Sequence, residues 1–204
     1  MPPRDVELIE LLQQVRDCRH CAHVLGHEPR PVVRIAGSAK ILIVGQAPGT
    51  RVHASGVPWD DPSGDRLRAW LGLDREAFYD DSKIAIMPMG FCYPGRGRSG
   101  DLPPRPECAP RWHEKLLRYL PDLALTLLVG RFAQQYYLED GGATVADTIR
   151  DADWEGASQL PLVHPSPRNR LWLRKQPWFE ASYVPVLRRR VQSLLTAAGE
   201  GTKD

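Results

Sequence analysis

Short, nearly unbroken apolar runs alternate with amphipathic stretches along this chain. Residues 40–44 (KILIV) end at Gly45, residues 125–129 (LTLLV) at Gly130, and residues 160–163 (LPLV) at His164-Pro165, with a further run, KIAIM, at 83–87. Runs this short without a polar alternation fit strands buried on both faces, as in a parallel sheet. Between them the apolar spacing predicts helices over 65–72, 111–119, 131–138 and about 179–196, with Pro185 predicting a break in the last. An opening helix over 5–16 places Val6, Ile9, Leu11, Leu12 and Val15 near one face. Strands alternating with helices predict an α/β fold, a parallel sheet covered on both faces. Ligands of such sheets bind beyond the carboxyl ends of the strands. The loop after Gly45, the loop holding Cys92 and the loop at His164 should therefore meet at one site.

Composition narrows the class. The 204 residues suit one sizeable domain, expected over 1–198 with 199–204 as a flexible tail. No apolar run approaches bilayer length, so no membrane partner is expected. A net charge of +2 is too small to argue for a polyanion by itself, but the basic residues are grouped. Arg96 and Arg98 share a Gly-rich loop, Arg168, Arg170, Arg174 and Lys175 form a second group, and Arg188, Arg189 and Arg190 a third. Such groups matter if the fold gathers them around one groove.

The four cysteines change the picture further. Cys18 and Cys21 form a C-x2-C pair, and Cys92 and Cys108 flank a loop rich in Pro, Gly and Arg. The N-terminal residues lack a secretory leader pattern, so a reducing, cytoplasmic setting is expected and disulfides are not. Four thiolates can hold zinc tetrahedrally or ligate a [4Fe–4S] cube, and spacing alone does not choose.

Two loops carry candidate chemistry. Gly45-Gln46-Ala47-Pro48-Gly49 follows a predicted buried strand and can turn consecutive N–H groups toward an anion or carbonyl oxygen. It lacks the Gly-Lys-Ser/Thr ending of a P-loop. His164-Pro165-Ser166-Pro167-Arg168-Asn169 sits at a strand end, where its serine and arginine suit phosphate oxygens.

The Gly-Gln-Ala-Pro-Gly loop, the downstream His-Pro-Ser and the C-x2-C…C-x15-C pattern together resemble the uracil-DNA glycosylase superfamily, in its iron–sulfur branches, families four and five. The resemblance runs from about Cys18 to about residue 190. It implies a three-layer α/β/α fold with a short, mainly parallel sheet, and a structural [4Fe–4S] cluster on Cys18, Cys21, Cys92 and Cys108 rather than zinc. It implies hydrolysis of the N-glycosidic bond of uracil or another deaminated base flipped out of DNA. Trp59 stands where relatives carry a Phe that stacks on the base. Backbone N–H groups around Gly45, Gln46 and Ala47 would face a base carbonyl, and His164 would donate to the same developing oxyanion. Asn169 falls on the substrate side of its loop. Ser166, Arg168 and Arg170 would contact phosphates, and Leu171 would fill the gap left by the flipped base.

This chain departs from its relatives at two places. Family four places Glu after the first Gly, where this chain has Gln46, and other branches place Asn or Asp next, where it has Ala47. The nearest carboxylates are Asp61 and Asp60. Asp61-Pro62-Ser63-Gly64 resembles the Asp-x-Ser-Gly of family five, which makes Asp61 the first candidate catalyst and Asp60 the second, each also suited to capping the following helix. Family four reads the base with an Asn at the position held here by Pro88, which has no side-chain hydrogen bond to give. The expected protein is a monomeric, monofunctional DNA repair hydrolase. The alternative is a catalytically inactive member of the same fold that binds damaged or abasic DNA.

Overall fold

The computed structural model describes residues 3–98, 100–139 and 144–197. In chain order the elements are helix α1 (Pro3–Arg16), α2 (Ala22–Leu25), strand β1 (Ile41–Val44), α3 (Thr50–Ser55), α4 (Pro62–Leu71), α5 (Arg75–Phe78), β2 (Ile84–Ile86), β3 (Arg96–Gly97), β4 (Gly100–Asp101), α6 (Cys108–Leu117), β5 (Leu125–Val129), α7 (Arg131–Tyr137), α8 (Val145–Asp151), β6 (Gln159–Leu162), α9 (Arg170–Lys175) and α10 (Val184–Ala197). The central sheet has the order β2-β1-β5-β6. All its pairs are parallel, with Ile41 beside Ile84 and Leu125, and Leu127 beside Leu160.

Side chains of a strand alternate between faces, and this alternation builds two cores. Ile41, Ile43, Leu125, Leu127 and Val129 face one layer, where α4, α8 and α10 bring Leu67, Leu71, Ile149, Leu187 and Val191. Leu42, Val44 and Leu128 face the other, where α1, α6 and α7 bring Leu12, Val15, Trp112, Leu116 and Ala133. This is the three-layer α/β/α arrangement expected. One detail differs. Helix α1 buries Leu8, Leu11, Leu12 and Val15, while Val6 and Ile9 are exposed, so the buried stripe is rotated from the one read in the sequence. At the other end, a π-helical turn at Phe179–Tyr183 precedes α10, and Pro185 occupies the first turn of α10, where a missing N–H does no harm.

From β1 the chain passes to β2 on one side, and from β5 to β6 on the other. Loops leaving β1 and β5 therefore diverge and leave a crevice at the carboxyl edge of the sheet.

Candidate active site

That crevice holds a cavity of about 410 Å³. Its walls come from the loop after β1 (Gly45 to Gly49), the segment before α4 (Pro58, Trp59, Asp61 and Ser63), Pro88 after β2, the hairpin β3–β4 with its flanks (Pro94, Asp101 and Leu102), and the loop after β6 (His164, Ser166, Arg168 and Asn169).

The segment before α4 is shaped by several residues acting together. Trp59 has φ 58°, a left-handed conformation that a side chain adopts only when its surroundings impose it. Its ring lies against Gly45, where a Cβ would come within 2.7 Å of Cζ2. Its carbonyl lies where a Cβ on Gly64 would fall, so position 64 admits no side chain. The buried Arg68 donates to that carbonyl at 3.3 Å, and Tyr79 Oη donates to the Pro58 carbonyl at 2.8 Å. Asp61 is the N-cap of α4, its Oδ1 accepting from the Gly64 N–H at 2.8 Å. The cap fixes the carboxylate in the cavity wall. Asp60 turns away, paired with Arg75 at 2.9 Å, and lies in a neighbouring groove beside Arg51 and Asp65. Of the two candidate carboxylates, the fold brings Asp61 to the cavity and not Asp60.

His164 is fixed from several sides. Its Nδ1 accepts from the Ser166 N–H at 3.2 Å, which assigns the ring proton to Nε2. Burial lowers its pKa, and the charge of nearby Asp61 partly opposes this, so the ring is a neutral donor. Asn169 Nδ2 donates to the His164 carbonyl at 2.7 Å, and Arg66 reaches from α4 to the carbonyls of Pro165 and Ser166 at 3.3 and 3.4 Å. The Trp59 and His164 rings are 5.6 Å apart.

The loop after β1 is tied to the loop after β2, since the carbonyls of Gly45 and Gln46 accept from Met89 and Gly90 at 2.8 and 3.0 Å. The N–H groups of Gln46 and Ala47 have no backbone acceptor among the described residues. The Gln46 side chain points to the Leu102 carbonyl at 3.5 Å. Pro88 shows the cavity its ring, because its carbonyl accepts from His113 Nε2 at 3.0 Å. His113 Nδ1 in turn accepts from Tyr137 Oη at 2.7 Å, and burial lowers the His113 pKa to about 4.

Sequence reasoning missed the hairpin and with it Asp101 and Leu102. The only trace was Ser99-Gly100 among arginines, a turn signal inside an already irregular loop. Asp101 sits against Gly49, where a Cβ would be 3.4 Å from its Oδ2, and a Cβ on Gly100 would meet the guanidinium of Arg168, so the hairpin touches the His164 loop. Leu171, at the start of α9, is 61% exposed, whereas Trp172 and Leu173 pack on the core. Arg170 is exposed beside it. His53 is not in the cavity wall and packs against His27 and Tyr93.

Cys18, Cys21, Cys92 and Cys108 line a second cavity with Pro29, Pro31, Phe91 and Trp112. Burial pushes the Cys92 thiol up to about 11 and Cys108 to about 12. Among the described residues no group of three or more His, Cys, Asp or Glu is arranged to hold a metal ion.

A short parallel sheet between helical layers, with a polar cavity beyond its strand ends and a neutral histidine and a capped aspartate in the wall, defines an α/β protein with a loop-borne ligand site. No helix among the described residues is long and apolar enough to cross a membrane. The chain matches the Uracil DNA glycosylase superfamily over residues 34–188, and it belongs to that superfamily. The match covers the sheet and the strand-end cavity, and it includes Cys92 and Cys108 but not Cys18 and Cys21.

Proposed function

We propose that the protein is a monofunctional DNA glycosylase that hydrolyses the N-glycosidic bond of uracil or another deaminated base flipped out of DNA, with a [4Fe–4S] cluster on Cys18, Cys21, Cys92 and Cys108. The observation that carries the reading is the meeting of Trp59, Asp61, His164 and the free N–H groups of Gln46 and Ala47 in one cavity of a superfamily member. The flipped base stacks on Trp59. As the bond from C1′ to the base nitrogen breaks, its electron pair leaves with the base. The N–H groups and His164 Nε2–H stabilise that charge, in the way fixed donors stabilise any developing oxyanion. A neutral histidine serves here as donor without first having to be charged. Asp61 opposes the positive charge of the sugar and orients the water whose oxygen bonds to C1′, taking up its proton. Among the described residues no lysine lines the cavity, which favours water over an amine as nucleophile. Arg168 and Arg170 meet phosphates, and Leu171 fills the vacated stack.

Cys18, Cys21, Cys92 and Cys108 line one cavity, and four thiolates are the donor set of a [4Fe–4S] cube. A cube binds each thiolate to a different iron. It would supply a covalent tie between the N-terminal segment and the 92–108 loop, keeping Arg96 and Arg98 of that loop near the DNA backbone.

The reading is tested by incubating purified protein with labelled oligonucleotides carrying uracil, hypoxanthine or xanthine, single-stranded and in each mispair, followed by alkali. Base release that is lost in Asp61→Ala and kept in Asp60→Ala supports it. Tight binding to an abasic duplex with no release on any substrate points instead to a binding protein. Anaerobically purified protein should be brown, absorb broadly near roughly 400 nm and carry about four irons. Colour and iron should both fall in Cys18→Ser.

A further inference from the structure

The base has to be recognised by something other than the wall at position 88. Pro88 has no N–H, its side chain has no polar atom, and its carbonyl is held by His113. Among the other polar side chains around the cavity, most are already committed. Asp61 Oδ1 caps α4, Asn169 Nδ2 holds the His164 carbonyl, Ser166 Oγ accepts from the Arg168 N–H at 3.3 Å, and Gln46 Nε2 is directed at Leu102. The Asp101 carboxylate differs. Its one hydrogen bond from a described side chain is the long 3.4 Å contact from Tyr93 Oη, so nearly all its acceptor capacity is left over. It packs beside Gly49 in the cavity wall.

We propose that Asp101 reads the edge of the bound base by accepting a hydrogen bond from a ring N–H, and that the substrate class is therefore the lactam bases. This rests on the glycosylase reading of the same cavity. With the Asp61 carboxylate assigned to the sugar, the base meets neutral donors, His164 Nε2–H and the N–H groups of Gln46 and Ala47, and the acceptor-only Asp101, and the complement of that set is a keto oxygen together with an N–H. Uracil and hypoxanthine carry that pair. Their parents do not, because cytosine N3 and adenine N1 present a lone pair, which a carboxylate repels. Deamination turns that acceptor into a donor, so one aspartate on a hairpin distinguishes both products from both parents without matching either ring. The contact does not separate xanthine from guanine, or uracil from thymine, since each pair shares the N–H. Those choices fall to other parts of the wall.

The test is the binding of 1-methyluracil, 9-methylhypoxanthine, 1-methylcytosine and 9-methyladenine, in which the methyl group stands where the sugar is attached, to the whole protein by ligand-observed NMR, run beside base release from oligonucleotides. Wild type is compared with Asp101→Leu and Asp101→Asn. Asp101 is exposed on a two-residue strand, so neither change should disturb folding. A hydrogen bond to a charged acceptor predicts that Asp101→Leu weakens uracil and hypoxanthine about 10- to 100-fold. Asp101→Asn, which offers either a carbonyl or an amide, should retain most of that binding and gain cytosine. Lactam binding that depends on Asp101 in a protein that releases no base would sustain this inference and sink the glycosylase. Equal binding by wild type and Asp101→Leu, cytosine preferred over uracil by wild type, or no binding of any base would overturn it, whatever the release assay shows.

Discussion

The two cavities of this molecule differ in how their polar groups are provided for. At the strand ends, Asp61 is tied to an N–H of α4, His164 to Ser166, and Asn169 to the backbone, so the groups stand ready before any ligand arrives. Among the cysteines, the Phe91 N–H donates to Cys108 Sγ at 3.3 Å, the Arg30 backbone to Cys92 and the Arg105 side chain to Cys21, yet burial still makes the thiolates costly. The first cavity is completed by the polypeptide, whereas the second presents buried sulfurs whose ionised forms need a positive partner. Substitutions in the first should therefore remove chemistry and spare the fold, and those in the second should loosen one segment and spare the chemistry's own groups.

The largest effect expected is from Asp61→Ala, which should slow base release about 10²- to 10⁴-fold in single-turnover kinetics. Loss of the cap should lower stability by only about 1 kcal/mol in urea unfolding. A stability loss several times larger, with little change in rate, would make Asp61 a structural residue and erase the contrast between the cavities. Next is Gly64→Ala, whose methyl group would displace the Trp59 carbonyl and with it the left-handed turn. A loss of about 3 kcal/mol is expected, the upper part of the usual range for overpacking. A similar effect belongs to His113. Its pKa of about 4 lies below the ordinary value near 6.5, so the unfolded chain binds more protons between these pH values and stability rises with pH there. Its contribution is complete above about pH 6.5 and is lost as pH falls toward 4, up to about 3 kcal/mol. Urea unfolding across that window should show the slope, and His113→Gln should flatten it. The smallest effect is from Arg66→Ala, which frees two carbonyls of the His164 loop. It should change base release by less than about tenfold, as the loss of two long hydrogen bonds at a half-buried guanidinium implies.

The sheet was legible because its four strands are short and nearly all apolar, with Thr126 and Gln159 the polar exceptions, and alternate with amphipathic helical stretches. The rotated stripe of α1 was not, because Val6 and Ile9 are as apolar as Leu8, and only packing against α6 shows which row is inside. The Gly45 and His164 loops could be located because each directly follows a strand, whose end fixes its position. Asp101 could not, since two-residue strands carry no period and the Gly-rich segment around them conceals the pairing of Arg96 with Asp101. The resemblance of Asp61-Pro62-Ser63-Gly64 to a family motif ranked Asp61 ahead of Asp60, but both remained candidates. Their roles separate only when helix α4 takes one as its cap and Arg75 takes the other.

Helix α6 begins at Cys108 in the wall of one cavity, and five residues later His113 holds the Pro88 wall of the other. Five residues of helix span about 7.5 Å, too short for the rod to bend independently at each end. A small tilt at the sulfur end is therefore conveyed to the surface against which a base would lie. Mechanically the helix is a lever with the two cavities at its arms, and the width of the recognition cleft depends on how firmly its far end is seated.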